Sequence, residues 1–200
     1  MVAEDRLKKA KHHLDRLHFL IYRDKAGTMV NPKKIHYELE HFLITIRSVP
    51  DYLLEDYNKK YALGISLDDK LHPNAFKRKA RELRNEDATS FIKWYEKKLR
   101  VLYKDEVCLF VKNKRDISIH RQEVTPVATR GKSFAIDVLI GKPEDFESLK
   151  EQISPEEPTT KNITFGWFFT DYRMQDILSI CEHYYEKMKS FLEETRMMSP

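Results

Sequence analysis

The sequence contains little glycine, few cysteines and no long apolar run. Five glycines in 200 residues are few for an all-β or Rossmann-type protein and normal for a helical one. Two cysteines, Cys108 and Cys181, are too few for a disulfide scaffold or a zinc site, and we expect reduced, buried thiols. No apolar run approaches the roughly 18 residues of a membrane span. The chain is therefore expected to be a helical, cytoplasmic protein without a membrane partner.

Apolar residues recur at steps of three and four in four long segments, which is the spacing of one buried helix face. The four seams run from Leu7 to Ile21, from Ile35 to Tyr57, from Ala88 to Leu109 and from Met174 to Phe191. The pattern predicts a mainly α protein, an antiparallel four-helix bundle whose seam aromatics belong to the core.

A different pattern separates the third and fourth predicted helices. Residues 133–140 and 162–169 alternate between apolar and polar side chains, as half-buried strands do. We therefore expect a β-hairpin insertion over residues 125–169 within a single helical domain that spans residues 1–200.

Charge is distributed unevenly along the chain. Between Lys77 and Arg121 there are 14 basic and 7 acidic residues, a net charge of +7. Between Asp137 and Glu157 there are 2 basic and 7 acidic residues, a net charge of −5. The basic block indicates either a solvated helix face or a surface that binds phosphates.

Several polar residues stand out near the end of the predicted third helix. Glu106, Asn113 and His120 are spaced seven and seven, so they form a polar line on the face that otherwise packs. Buried polar groups need partners, and such lines inside bundles often mark sites. Asp116 lies four residues before His120 on the same face, where its carboxylate can fix the imidazole tautomer. Arg115 is five residues before His120, about 140° away on a continuous helix.

The segment Arg115-Asp116-Ile117-Ser118-Ile119-His120 resembles the Arg-polar-x-x-x-His motif of the HEPN superfamily. Its place at the end of the third long helix of a helical bundle is similar as well. The resemblance implies a homodimer in which two motifs face each other across a cleft. It also implies the activities of many HEPN proteins, which are metal-independent ribonucleases or toxins of defence and toxin–antitoxin systems.

Under this resemblance Arg115 and His120 are the catalytic pair. An imidazole can accept the proton of the RNA 2′-hydroxyl, while a guanidinium stabilises the charge that develops on the scissile phosphate. The chemistry requires no metal and no other cofactor. Lys112, Lys114 and Arg121 would hold flanking phosphates without reading sequence.

Two alternatives remain open at this stage. One is a catalytically inactive HEPN-like module that binds a cognate protein partner. The other is a metal-binding helical bundle, because Glu38-x-x-His41 and Asp15-x-x-His18 have the carboxylate-x-x-His spacing of di-metal bundles. Helical arithmetic places His41 and Asp15 about 120° from their seams, which is unfavourable for ligands that must point inward.

Overall fold

The computed structural model describes residues 1–25, 30–66, 71–120, 126–132, 163–169 and 176–197. Within these residues the chain is mainly helical, as predicted. The helices are α1 (Val2–Lys25), α2 (Pro32–Lys60), α3 (Pro73–Glu82), α4 (Glu86–Leu102), α5 (Glu106–His120) and α6 (Ile177–Met197). The strands are β1 (Pro126–Lys132) and β2 (Ile163–Phe169).

Four of the helices contact one another in a cyclic order. Helix α1 packs on α2, α2 on α5, α5 on α6, and α6 on α1, while α3 and α4 pack against each other. The predicted seams face this shared core. The fully buried members are Ala10, Leu17 and Ile21 of α1, Ile35, Leu39, Phe42, Ile46, Val49 and Leu53 of α2, and Ile177, Cys181, Tyr184 and Met188 of α6. Each fully buried large apolar side chain contributes about 1.5–3 kcal/mol relative to exposure.

The aromatic residues of the seams pack as core, which confirms the prediction. Tyr57 of α2 stacks on Phe91 of α4 with ring centroids 3.8 Å apart and planes inclined by 3°. Trp94 of α4 stacks on Phe191 of α6 at 5.5 Å. The hydroxyl of buried Tyr95 donates to the Pro50 carbonyl of α2 at 3.2 Å. These contacts fix α4 against both α2 and α6.

Asparagine side chains cap the starts of α2 and α4. Asn31 Oδ1 accepts the Lys33 N–H at 2.9 Å at the start of α2, and Asn85 Oδ1 accepts the Ala88 N–H at 2.9 Å at the start of α4. Gly64, with φ of +65°, follows the end of α2 in the left-handed region that favours glycine.

The predicted third helix is two helices, and its expected continuity is wrong. Helix α4 ends at Leu102, and Asp105 caps the start of α5 by accepting the Cys108 N–H on Oδ1 at 3.0 Å. The restart changes which positions face the core. Leu109, predicted as a seam residue, is 42% exposed, whereas Cys108 and Val111 are fully buried.

Helix α3 lies between the second and third predicted seams, outside all four of them. It begins after His72, whose Nδ1 accepts the Ala75 N–H at 3.3 Å. Phe76 and Ala80, four residues apart, bury one face of α3 against the core. This four-residue spacing gives even a short polar helix a stable docking face.

Strands β1 and β2 pair in antiparallel register, with Pro126 opposite Phe169 and Lys132 opposite Ile163. Strand β2 coincides with the second predicted strand. Its partner is not the predicted segment 133–140 but the residues directly before it, and that segment lies outside the described residues. Because the connection between the strands also lies outside them, the hairpin and the bounds of the insertion stay predictions.

Candidate functional site

The predicted catalytic positions lie in the last turns of α5. Lys114, Arg115 and Asp116 are inside this helix, and His120 is its final residue. The side chains of these four residues, and all of Arg121, lie outside the described residues. Their roles therefore stay predictions, and the structure defines only the helix that carries them.

Helix α5 is continuous from Glu106 to His120. Five residues advance about 500° around a helix axis, so positions 115 and 120 lie about 140° apart, with an axial rise of about 7.5 Å. No break of the helix between the two positions reduces this angle. A site that uses both therefore needs either a long reach by the arginine or a second subunit.

Two of the three residues in the predicted polar line, Glu106 and Asn113, do not lie on a buried face. Glu106 is the first residue of α5 and is exposed, and Asn113 is exposed as well. The restart at Asp105 turns both positions away from the core, because Cys108 and Val111 define the packed face. Glu106 and Asn113 thus have no need of buried partners, and their supporting role at the motif remains a prediction.

Lys112 is half-buried beside the junction of α4 and α5. Its Nζ lies 4.8 Å from the centre of the Tyr103 ring, within the range of a cation–π contact. The contact holds the ammonium group near the turn that joins the two helices, one helical turn before the motif. The predicted phosphate contact by Lys112 is compatible with this position.

Part of the basic block is neutralised by ion pairs. Lys77 Nζ lies 2.6 Å from Glu96 Oε2, and both Lys79 and Arg78 pair with Glu82, at 2.8 Å and 3.7 Å. Paired surface cations attract phosphates less, because a carboxylate beside each one cancels its field. The excess positive charge of this segment therefore resides on cations other than Lys77, Arg78 and Lys79.

The remaining exposed cations of α4 form one line with Lys104, which lies two residues beyond the end of this helix, and we call this line the α4 stripe. It consists of Lys93, Lys97, Arg100 and Lys104, all exposed and spaced four, three and four residues apart. Within the part of the chain that the structure describes, none of these four makes an ion pair. The spacing is visible in the sequence but was not singled out, because the whole basic block was counted together.

A second cluster joins the start of α5 to α6. His183 Nε2 donates to Asp105 Oδ2 at 2.9 Å, and Lys187 Nζ lies 3.9 Å from the same oxygen. Cys108 completes the cluster: one donor atom from each of Asp105, Cys108 and His183 lies within 4.8 Å of the other two. The sequence analysis missed this cluster because Asp105 and His183 are 78 residues apart.

The environment of this cluster keeps its thiol protonated at neutral pH. Burial raises the pKa of Cys108 to about 12, and the neighbouring Asp105 carboxylate acts in the same direction. Desolvation acts to raise the pKa of Asp105, but hydrogen bonds from His183 and Cys108 outweigh it and leave that pKa below its usual value. Burial also raises the pKa values of Tyr103 and Tyr184 nearby. The cluster without a ligand therefore has a carboxylate as its only anionic group and no thiolate nucleophile.

A third cluster lies between α1 and α2. Glu38, 3% exposed, accepts a hydrogen bond from His13 Nδ1 at 2.8 Å and pairs with Arg16 Nε at 2.8 Å. His13 is 8% exposed, and its Nε2 is buried without a hydrogen-bond partner among the described residues. The ring of His41 lies 5.4 Å from that of His13. A buried carboxylate thus has its two donors on the neighbouring helix.

The two carboxylate-x-x-His motifs do not form a shared di-metal site in the described part of the chain. Asp15 pairs with Lys11, and His18 Nε2 lies 2.9 Å from Glu182 Oε1 at the surface. His41 Nδ1 donates to the backbone carbonyl four residues before it at 2.9 Å. Each motif residue is thus held by a local partner, and the di-metal interpretation gains no support from these contacts.

Among the helices that the structure describes, none combines the length and apolar content needed to cross a bilayer. Comparison with models of known families, with curated proteins and with solved structures finds no match to this chain.

Proposed function

We propose that this protein is an HEPN-like RNA-processing homodimer that binds RNA along the α4 stripe and cleaves it with Arg115 and His120. Helices α1, α2, α5 and α6 correspond in this proposal to the HEPN four-helix bundle, and their cyclic contacts support that correspondence. The third of these helices, α5, carries the motif in its last turns.

The observation that carries the proposal is the α4 stripe. Its three members on α4 extend over seven residues, which is about 10 Å of helix, and Lys104 continues the line just beyond the helix end. Four exposed cations that make no ion pair with any residue the structure describes form a track for a phosphate backbone. Such a track binds RNA without reading its sequence, which suits an enzyme whose specificity resides elsewhere.

Cleavage follows from the chemistry of the two motif residues. His120 accepts the proton of a 2′-hydroxyl, whose oxygen attacks the adjacent phosphorus, and Arg115 stabilises the negative charge that accumulates on the phosphoryl oxygens. Because the two positions lie about 140° apart on α5, the site is composed across the dimer in this proposal, with Arg115 of one chain and His120 of the other at the same phosphate.

The proposed RNA binding is tested by measuring the affinity for a fluorescent single-stranded RNA at several salt concentrations. Replacing all four stripe residues with glutamine should reduce the slope of log K against log salt by about 3, since each cation contributes about 0.7. Between about 50 and about 200 mM salt, that difference equals about a fiftyfold change in affinity.

A matched control removes the same number of charges from ion-paired positions. These are Lys77, Arg78, Lys79 and Lys98, each of which has a carboxylate partner. This variant should retain most of the salt slope. Equal losses in the two variants would show that total charge, and not the stripe, determines binding.

The cleavage half is tested with purified protein and RNA in EDTA. Wild type should release fragments, whereas Arg115→Ala and His120→Ala should each be inactive. Mixing the two inactive variants should restore about a quarter of wild-type activity, because half of the random dimers then contain one intact composite site. No recovery would place both residues in one chain. A wild type that binds RNA along the stripe without cleaving it would favour the inactive, partner-binding alternative.

A further inference from the structure

Three side chains with different donor atoms converge where α5 begins against α6. Asp105 lies in the turn between α4 and α5, Cys108 lies in the first turn of α5, and His183 lies on α6. An oxygen, a sulfur and a nitrogen from these residues lie within 4.8 Å of one another. We infer that Asp105, Cys108 and His183 form a site for one zinc-class divalent metal ion, which joins α5 to α6.

The donor set fits such an ion in type and size. Zn²⁺ binds thiolate sulfur at about 2.3 Å and imidazole nitrogen or carboxylate oxygen at about 2.0–2.2 Å, in tetrahedral geometry. Those bonds place neighbouring donors roughly 3.3–3.8 Å apart. The three donors lie within 4.8 Å of one another, so side-chain rotations that change these distances by about 1.5 Å or less bring them to the required separations. Three protein ligands leave the fourth position for water.

The contacts of Asp105 show what the ion would replace. Its carboxylate accepts a hydrogen bond from His183 Nε2 at 2.9 Å and another from the Cys108 thiol. Two protons therefore point at one anion. A divalent ion that takes their place binds the carboxylate, the thiolate and the neutral imidazole directly. The thiol and His183 Nε2 both release their protons to solvent, the neutral imidazole carries its proton on Nδ1, and no electron is transferred.

The charge balance favours this exchange. A carboxylate, a thiolate and a divalent ion sum to zero, and a neutral assembly is less costly to bury than separate charges. Lys187, whose side chain is 49% exposed, is 3.9 Å from Asp105 and can move into solvent when the cation binds. Asp105 keeps its other oxygen for the Cys108 N–H and so continues to cap α5.

The direct test is titration of the metal-free full-length protein with Co²⁺, which occupies zinc sites and absorbs visible light. One equivalent should produce the d–d bands of tetrahedral Co²⁺ and the near-ultraviolet charge-transfer band of a cobalt–thiolate bond. Zn²⁺ should then displace Co²⁺ and abolish both sets of bands. Metal binding through surface histidines alone, without the thiolate band, would overturn the inference.

Two variants and one matched control locate the site. Cys108→Ser should lose the thiolate band, and His183→Gln should bind Zn²⁺ at least about tenfold more weakly, since even outer partners of metal ligands contribute tenfold or more. His18→Gln is the control, because His18 and His183 have the same 40% side-chain exposure and the same 2.9 Å contact with a carboxylate. Equal affinities of His183→Gln and His18→Gln would refute the site.

The measurement does not depend on Cys108→Ser remaining folded. His183→Gln changes a half-exposed side chain, and its circular dichroism spectrum should equal that of wild type. If this folded variant still gives the full thiolate band, the cobalt is bound elsewhere and the inference is wrong. Arg115→Ala should bind Co²⁺ as wild type does, which separates this site from the proposed ribonuclease activity.

Discussion

Replacing Glu38 tests how much its buried carboxylate stabilises the packing of α1 on α2. Glu38 is 3% exposed and accepts one hydrogen bond from His13 and one from Arg16. Glu38→Ala removes both acceptors together with a buried methylene group. The two donors then respond differently, because Arg16 is 59% exposed and His13 is almost fully buried.

The magnitude follows from that difference. Arg16 can turn into solvent, so the loss of its pair costs less than about 1 kcal/mol. His13 Nδ1 stays buried without an acceptor, which costs about 1–3 kcal/mol, and the methylene group adds about 0.8 kcal/mol. We therefore expect Glu38→Ala to lower the free energy of unfolding by about 3 kcal/mol.

Urea denaturation at neutral pH measures this change, and Glu40→Ala is the matched control. Glu40 lies two residues further along α2 and also pairs with a histidine, His36 at 3.5 Å, but both side chains are partly exposed. Glu40→Ala should lower the free energy of unfolding by about 0.5 kcal/mol or less. In a double-mutant cycle, His13→Ala and Glu38→Ala should be coupled by at least about 1 kcal/mol. If Glu38→Ala lowers the free energy of unfolding no more than Glu40→Ala does, the buried pair does not stabilise the packing of α1 on α2.

Three further predictions concern single contacts. Asn85→Ala removes the cap of α4 and should lower the free energy of unfolding by about 1 kcal/mol in urea denaturation, whereas Asn85→Ser should retain most of it. Tyr95→Phe removes the hydroxyl that donates to the Pro50 carbonyl and should cost about 1 kcal/mol in thermal denaturation, and an unchanged Tm would contradict this contact. The hydrogen bond from Arg196 lowers the pKa of Glu4, so this pair contributes stability at neutral pH that is lost as the pH falls below about 4.5. Unfolding curves of wild type and Arg196→Gln should therefore differ at neutral pH and converge in acid.

Helix periodicity predicted most of the fold because burial repeats regularly along each seam. In α2, every seam position from Ile35 to Tyr57 is buried, and the short polar side chain of Asn31 begins the helix as expected. These features depend on residues within one or two helical turns of each other. Information of this range is present in the sequence itself.

The break between α4 and α5 could not be found from periodicity. Leu109 continues the spacing of the α4 seam, and the segment around Tyr103 contains neither glycine nor proline to mark a turn. The available signal was Asp105, a good cap three residues before Cys108. The continuous apolar spacing from Ala88 to Leu109 predicts one helix and gives no reason to place a cap inside it.

Clusters whose members are far apart along the chain could not be predicted from sequence spacing. The spacing Glu38-x-x-His41 suggested inward ligands from one helix, but Glu38 instead pairs with residues of α1. Similarly, the small number of cysteines was taken to exclude a zinc site, although Cys108 needs only two ligands of other types. His183 reaches it through the packing of α6 on α5. Tertiary packing, and not local pattern, selects such partners.

The buried face of α5, marked by Cys108 and Val111, defines where positions 115 and 120 lie around the helix axis. Position 115 is seven residues after buried Cys108 and therefore about 20° from it around the helix axis. Position 120 is nine residues after buried Val111, about 180° away. One phosphate cannot lie on both sides of a helix about 10 Å wide. A nuclease built on these two positions therefore needs a long reach by the arginine or a second chain, and recovery of activity on mixing Arg115→Ala with His120→Ala is the outcome expected of a second chain.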